Sequence, residues 1–438
     1  MSTRRSKYEI FTLESNDHSK TVDIRLGVAS FDYYEDIFSP TVTAKVLVAN
    51  TGNTVPGKDG KFQSLYNGLP LRGGERLSVK IEANSDANSG FDFSKPESYF
   101  YVSSISNVIS ETQREFFTLN LVSKEAIANE TSRVGKKFPT DFPISSSVSE
   151  IITKYLKSEK KATIDDTQNV YGFIGNLRKP FTVLVWLASK SVPKKTNAIA
   201  GFVFYQTQDG LQFRGLDNLL EQGVKKENDG STDVVYKYVQ VNESSITRNN
   251  DRFIISYYTE KNQNLIEKLR LGTYSSYRTF YDPLTFKFTP QEQAVFKLEN
   301  YSRSVKNLGH EIKLPDGLGD TPTRIITKIL DIGTLEKDPS VKPNANPFLY
   351  QSQAIMRYNT LFTQILSMTV PLNTNLRAGD IIKCEFPLIS KENTETLDDE
   401  QSGLYMIKEL CHHFDTEASY TSMKLIRDTF GQYGTNNK

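Results

Sequence analysis

Leu71-Arg72-Gly73-Gly74-Glu75 returns later in the chain as Leu376-Arg377-Ala378-Gly379-Asp380. Each copy is an Arg-x-Gly-acid turn ahead of a strand-like run. Behind the first come Tyr101-Val102 and then Leu119-Asn120-Leu121-Val122; behind the second come Tyr405-Met406 and then Met423-Lys424-Leu425-Ile426. Gly74 to Tyr101 is 27 residues and Gly379 to Tyr405 is 26, while Tyr101 to Leu121 and Tyr405 to Leu425 are both 20. Such a turn alone is common in β proteins. Three elements in one order at matched spacing point to an internal duplication.

The surroundings of the first copy read as strands. From Val22 to Ser123, Thr41–Val48, Arg76–Glu82, Tyr99–Val108 and Phe116–Val122 alternate apolar and polar residues, with a polar, Gly-containing loop from Asn50 to Gly68. Short sequential strands with one apolar face predict a sandwich or barrel. The character then changes. Ser147 and Glu150 have capping-box spacing ahead of Val148, Ile151, Ile152, Tyr155 and Leu156. Pro180 suits the first turn of a buried helix running to Ser191 and carrying the sole Trp186. Asp209-Gly210 predicts a hairpin between Phe202–Tyr205 and Leu211–Phe213. Strands return at 234–259, notably Phe253–Tyr258. A linker spaced by Pro339, Pro343 and Pro347 leads to a short helix capped at Asn346-Pro347 and ending near Tyr358, and strands resume at Leu361.

The expected fold is therefore mainly β with an α+β middle region: two tube-like antiparallel β-barrel domains joined by a mixed middle domain. Residues 1–125 form the first barrel. The middle domain takes 126–232 plus 260–350. The second barrel takes 233–259 plus 351–430, with 234–259 supplying a hairpin that 351–430 lacks, and 431–438 are a polar tail.

Composition limits the function. The chain has 438 residues with 26 Phe and 22 Tyr, an aromatic supply suited to pleated surfaces. Lys plus Arg (53) balances Asp plus Glu (52), so no global field recruits nucleic acid or an anionic membrane. Two cysteines cannot make a disulfide framework, the basic N-terminus has no apolar run of a signal peptide, and no window suits a membrane span, so a soluble chain made in a reducing compartment is expected.

The motifs together carry a resemblance. The opening β region with its Gly-Gly-Glu turn, the helix around Ser147, Lys179-Pro180-Phe181 with Trp186-Leu187, the Phe-Tyr…Asp-Gly…Phe hairpin at 204–213 and the late Arg-Ala-Gly-Asp turn resemble, in order, the baseplate hub proteins of contractile-tailed phages. These are related to the N-terminal part of type VI secretion spike proteins. The resemblance implies a structural protein of the virion baseplate, assembled in the host cytoplasm. It implies a homotrimer whose two barrels per chain make a pseudo-sixfold ring, adapting the six-fold tail tube to a three-fold central spike. The implied partners are a spike protein, the tail tube protein and neighbouring baseplate proteins, with genomic DNA passing through the lumen without sequence reading. Since the sequence shows no needle repeat or lysozyme-like segment after Gly431, the spike is expected to be a separate chain.

No enzymatic, cofactor or metal site is expected. The repeated turns Arg72, Gly73, Gly74, Glu75 and Arg377, Gly379, Asp380 are read as structural. Cys384, Cys411, His412 and His413 admit a nucleophile pair or a metal site. The blander reading puts Cys411 in the core and one adjacent His in water, with His18 and His310 as surface residues. Asp165-Asp166 and Asp398-Asp399-Glu400 read as solvated loops, and the pairs Lys136-Lys137, Lys194-Lys195 and Lys225-Lys226 as solvated faces. The competing class is a β-rich carbohydrate-binding or hydrolytic tail-associated protein, which a monomer with glycan affinity would favour.

Overall fold

The computed structural model describes residues 5–51, 54–57, 60–83, 89–111, 113–194, 199–231, 234–238, 252–302, 307–315, 317–331, 333, 347–389 and 397–432. The chain is mainly β, with helices concentrated in the middle. One large sheet runs, in spatial order, through Thr21–Asp23, Tyr8–Glu14, Arg76–Ile81, Phe100–Ser110, Arg114–Ser123, Thr43–Thr51, Val28–Asp36, Gly403–Asp415, Ile381–Glu385, Val235–Tyr238 and Phe253–Ile254. Ser419–Arg427 branches from Gly403–Asp415 and leads through Gln364–Pro371 to Ser256–Lys261. Among the described residues no strand order closes on itself.

Period-two burial builds both halves of this sheet. In the first half, Phe11, Leu13, Phe31, Tyr33, Ala44, Val46, Leu77, Val79, Leu119 and Leu121 share one core. Its aromatic rings meet edge-on, as Phe11 on Phe31 at 5.5 Å and Tyr33 on Phe91 at 4.9 Å, or stacked, as Phe91 on Phe93 at 4.5 Å, each buried ring worth about 1.5–3 kcal/mol. Phe414, from the far end of the chain, enters this same core at 5.8 Å from Phe31. A second core gathers Leu366, Met368, Ile382, Cys384, Phe386, Tyr405, Ile407, Met423 and Leu425. Gly403–Asp415 lies between the halves, pairing antiparallel with Val28–Asp36 through its last seven residues.

Helices and small sheets pack beside this system. The 202–215 hairpin forms as expected, and Gly210 takes a positive φ of 122° at its turn. Pro180 opens the helix Pro180–Ala188 at its first turn. A separate sheet centres on Ser275–Asp282. No helix among the described residues is long and apolar enough to cross a membrane.

Several local expectations fail for identifiable reasons. Tyr8–Glu14 is already a strand, paired with Arg76–Ile81 ahead of the expected start at Val22. The helix expected to open at Ser147 begins at Ile144, with Ser147 buried inside it; Glu150 pairs with Lys136 and Lys154 instead of capping. Trp186 is not buried: it stays 36% exposed, resting edge-on against Tyr171 and Phe173 at 5.4 Å. Phe253–Tyr258 breaks at Ile255 into two strands with different neighbours. Val235–Tyr238 pairs parallel with Phe253–Ile254, so these two strands do not make a simple hairpin. Asn346, Pro339 and Pro343 lie outside the described residues, as do Lys195 and 433–438; the helix after the linker spans Pro347–Leu361.

Candidate functional site

The two repeated turns share three hydrogen bonds, one to the acidic side chain and two between backbone groups. They differ at one position: the Gly73 N–H of the first bonds Glu75, and the equivalent Ala378 N–H of the second bonds Glu35. In the first, the buried Glu75 carboxylate accepts from the backbone N–H of Arg72 (2.6 Å) and of Gly73 (3.0 Å). In the second, Asp380 accepts from the Arg377 N–H at 2.9 Å. A short acid three residues on thus holds each turn shut. Gly74 (φ 87°) and Gly379 (φ 94°) adopt the left-handed conformation that favours glycine. The Gly74 N–H donates to Val102 O and the Val102 N–H to Glu75 O, at 2.8 and 2.9 Å. The Gly379 N–H donates to Ile407 O and the Ile407 N–H to Asp380 O, at the same two distances.

The strands behind each turn also match. Val102 faces Leu121, and Ile407 faces Leu425. One residue beyond, each strand bulges: Ser103 and Lys408 are both skipped in the pairing. The tyrosine correspondence needs correction. Tyr101 faces Arg76, whereas Tyr405 faces Ile382 and Met406 faces Ile381. Counted from the turns, Tyr101 falls with Met406 and Phe100 with Tyr405.

Both halves and the middle hairpin converge on a residue that the sequence reading passed over. Glu35, on the strand Val28–Asp36, is 2% exposed. Its carboxylate accepts from the Gln208 N–H at the hairpin turn (2.6 Å), the Ala378 N–H in the second repeated turn (2.9 Å) and the Tyr33 hydroxyl (2.8 Å). Burial pushes this carboxyl up to about 7, with Arg377 and the three donors pulling the other way. Arg377 pairs with Asp209 at 3.1 Å, so the second turn grips the hairpin twice. A second buried polar link is Arg357, fully buried between Asp217 and Asp428, each at 2.8 Å. It ties the helix Pro347–Leu361 to the helix Leu216–Asn228 and to the end of the last strand.

The cysteine and histidine run does not assemble a reactive site. Alternation along the strand holds, but its phase is reversed from expectation. His412 points into the core, stacked on Tyr33 and bonded to Thr421, and burial drives its imidazole down to about 3. Cys411 and His413 lie on the other face. Burial, aided by the Asp32 charge, pushes the Cys411 thiol up to about 12, the wrong direction for a nucleophile. His413 sits between Asp32 and Asp415, whose hydrogen bonds raise its pKa. Cys384 is buried in the second core. Among the described residues no group of three or more His, Cys, Asp or Glu is placed to hold a metal.

The carboxylate pairs are structural in part. Asp165 is not a solvated loop residue: it pairs with Arg214 at 3.1 Å and accepts from the Gly215 N–H and the Asn218 amide. Asp398 caps the N–H groups of Glu400 and Gln401. His310 is half-buried, its N–H bonded to Phe430 O, while His18 pairs with Glu14 at the surface. Lys136, Lys137, Lys194, Lys225 and Lys226 are exposed.

No protein-family model matches the chain. A curated relative, described as the probable baseplate hub protein gp334 of Vibrio phage KVP40, is 20% identical over 298 residues, or 65% of this chain. The match covers 66% of that relative, just under two thirds of its length. Two solved structures share the fold over nearly the whole chain. The tail protein from Neisseria meningitidis MC58 superposes with a TM-score of 0.54 at 11% identity, covering 96% of both chains. The 43 kDa tail protein of prophage MuSo2 from Shewanella oneidensis gives 0.51 at 9% identity, covering 96% of this chain and all of its own. All three are described as tail or hub proteins and none by an enzymatic activity, in keeping with the non-enzymatic reading. The chain thus resembles a phage baseplate hub protein in sequence and phage tail proteins in fold, the resemblance that its motifs carried.

Proposed function

We propose that this protein is the structural hub of a contractile phage tail baseplate, forming a trimeric ring of six similar units. Each chain supplies two tube-like β units, residues 1–125 and residues 233–259 with 351–430, and the middle domain (126–232 with 260–350) braces them. The observation that carries this reading is the shared hydrogen-bond set of the two repeated turns, with the matching bulges at Ser103 and Lys408. A duplicated unit gains its purpose in a closed ring, where three chains present six positions. One side of such a ring meets the six-fold tail tube and neighbouring baseplate proteins; the other seats a three-fold central spike. Genomic DNA passes the lumen without base-specific contacts.

Native mass spectrometry of the protein, alone and mixed with the spike protein of the same phage, tests the ring. A trimer in either sample is the expected result. A chain that stays monomeric in both overturns the proposal.

A further inference from the structure

The separate sheet around Ser275–Asp282 has an open edge of its own. Arg324–Ile329 pairs parallel with Ser275–Asp282 on one side, and among the described residues no strand takes its other side. Residues directly opposite in a ladder share a face, so the register gives this strand two faces of different chemistry. On one, Ile325 lies opposite Tyr277 and Ile329 opposite Tyr281, which has Phe288 on its far side. Ile325 and Ile329 are 74% and 73% exposed, and Phe288 is 59% exposed. An apolar row thus crosses the sheet in contact with solvent.

The other face carries cations. Arg324 lies opposite Ser276 and Lys328 opposite Phe280, and Arg278, opposite Ile326, falls between them. Arg324 and Lys328 are exposed, whereas Arg278 is buried, only 2% exposed. A buried guanidinium is normally paired with a carboxylate. Among the described residues Arg278 has a single hydrogen bond, from Nε to Ser276 Oγ at 3.2 Å, and none of the three cations forms an ion pair. Burial, with the Arg324 charge beside it, pushes the Arg278 guanidinium down to about 10. Burial lowers the Lys328 ammonium too, helped by Arg278, Lys190 and Arg324. Lys190 is already held by Asp331 at 2.5 Å. Three cations that repel one another, one of them buried, mark a place where the counter-charge comes from elsewhere.

We propose that the open edge of Arg324–Ile329 receives, as an added strand, an extended segment of a different protein in which carboxylates alternate with apolar side chains. Strand addition satisfies the open backbone edge, and side chains of alternate phase supply the specificity. Carboxylates on one phase meet Arg324 and Lys328 and sit within the field of Arg278. Apolar residues on the other phase cover Ile325 and Ile329. A phosphate-bearing ligand would answer the cations but leave the apolar row in water, so the two faces together select a peptide. The inference stands apart from the ring: a chain that stays monomeric yet binds such a segment keeps it.

The test titrates a fluorescein-labelled synthetic nonapeptide, alternating glutamate and valine, onto the full-length chain and reads anisotropy. The peptide is expected to bind, more weakly as salt rises, while one alternating lysine and valine does not. Arg324→Glu with Lys328→Glu, both at exposed positions, should weaken the acidic peptide by about tenfold or more and admit the basic one. N-methylation of the acidic peptide's backbone amides should abolish binding, because it removes the strand's donors and keeps every charge. Should the double variant fail to fold, the methylated peptide decides, since it leaves the protein unaltered. An acidic peptide that fails to bind, that binds the double variant equally well or that tolerates methylation overturns the proposal. Three further results overturn it by naming another occupant. Single-stranded DNA that displaces the peptide at equal concentration makes this a phosphate site. Binding that appears only after Glu336→Ala and Asp338→Ala gives the edge to the chain's own next segment. A double variant that folds but loses a trimer seen for the parent gives it to a second copy.

Discussion

Replacing Glu35 by Gln removes a charge from the place where both halves and the middle hairpin meet, and its effect depends on pH with a sign fixed by the structure. Burial lifts the carboxyl from 4.5 to about 7 in the folded protein. Below pH 4.5 it is protonated in both states, and its contribution to stability is complete. Between 4.5 and 7 the unfolded chain has released the proton that the folded chain still holds, so stability falls as pH rises. Above 7 the loss is complete and levels off. At 1.36 kcal/mol per tenfold, the span amounts to about 3 kcal/mol. Glu35→Gln lacks this titration but gives up one acceptor oxygen for the Ala378 and Gln208 amides and the Tyr33 hydroxyl, a penalty of about 1–2 kcal/mol at every pH. The assay is urea unfolding of both proteins, followed by Trp186 fluorescence, at pH 5 and pH 8. The variant is expected to be the less stable at pH 5 and to gain about 2.5 kcal/mol on the parent by pH 8, the rest of the span lying below pH 5. A stability difference that is the same at both pH values would refute the argument, because it would mean that Glu35 is already ionised when folded.

Arg357→Met leaves the buried Asp217 and Asp428 carboxylates facing each other without their cation, and a loss of about 3–5 kcal/mol in unfolding free energy is expected. Gly74→Ala forces a side chain into the left-handed region at a cost of about 1–2 kcal/mol, its Cβ meeting only Asn16 Cβ at an unstrained 3.8 Å. Gly379→Ala adds a Cβ only 2.6 Å from the Tyr205 hydroxyl, so its drop in melting temperature should exceed that of Gly74→Ala. His412→Ala removes a stacked core ring and its bond to Thr421, which keeps the Asn373 N–H as a partner, costing about 2–3 kcal/mol, whereas His413→Ala costs about 1 kcal/mol or less. Neither histidine variant, nor Cys411→Ala, should abolish plaque formation while the protein still folds; if one did, the non-enzymatic reading of this strand would fail.

The sequence carried the β character because alternation is a local signal. Leu77, Val79 and Ile81 or Leu119 and Leu121 announce a buried face without reference to any other strand. The hairpin at Asp209-Gly210 and the helix opened by Pro180 were legible for the same reason, since one or two residues constrain the local backbone. Capping chemistry was less decisive. Ser147 and Glu150 have capping-box spacing, yet the apolar stripe that the helix must bury begins at Ile144, and burying it outweighed the cap. Trp186 falls within an apolar run, Val183 to Ala188, that hides which face meets solvent.

Period two gives alternation without phase, and phase is what decided the histidines. Nothing local to Cys411-His412-His413 says which side of the strand faces Tyr33. That follows from pairing with Val28–Asp36, far away in sequence. Bulges compound the difficulty: the skipped residues at Ser103 and Lys408 leave the two halves alike, but the tyrosines of the two copies still fall one position apart. Glu35 was within reach, because Phe31 and Tyr33 set the inward phase and Glu35 continues it. A charge on the inward phase must be met by donors, and donors for a carboxylate at a strand end come from turns. The two turns that supply them are the Asp209-Gly210 hairpin and the Arg377–Asp380 repeat, both conspicuous in the sequence on other grounds. An ionisable side chain on the buried phase of a strand thus points to where separate parts of a chain join, before any pairing between them is known.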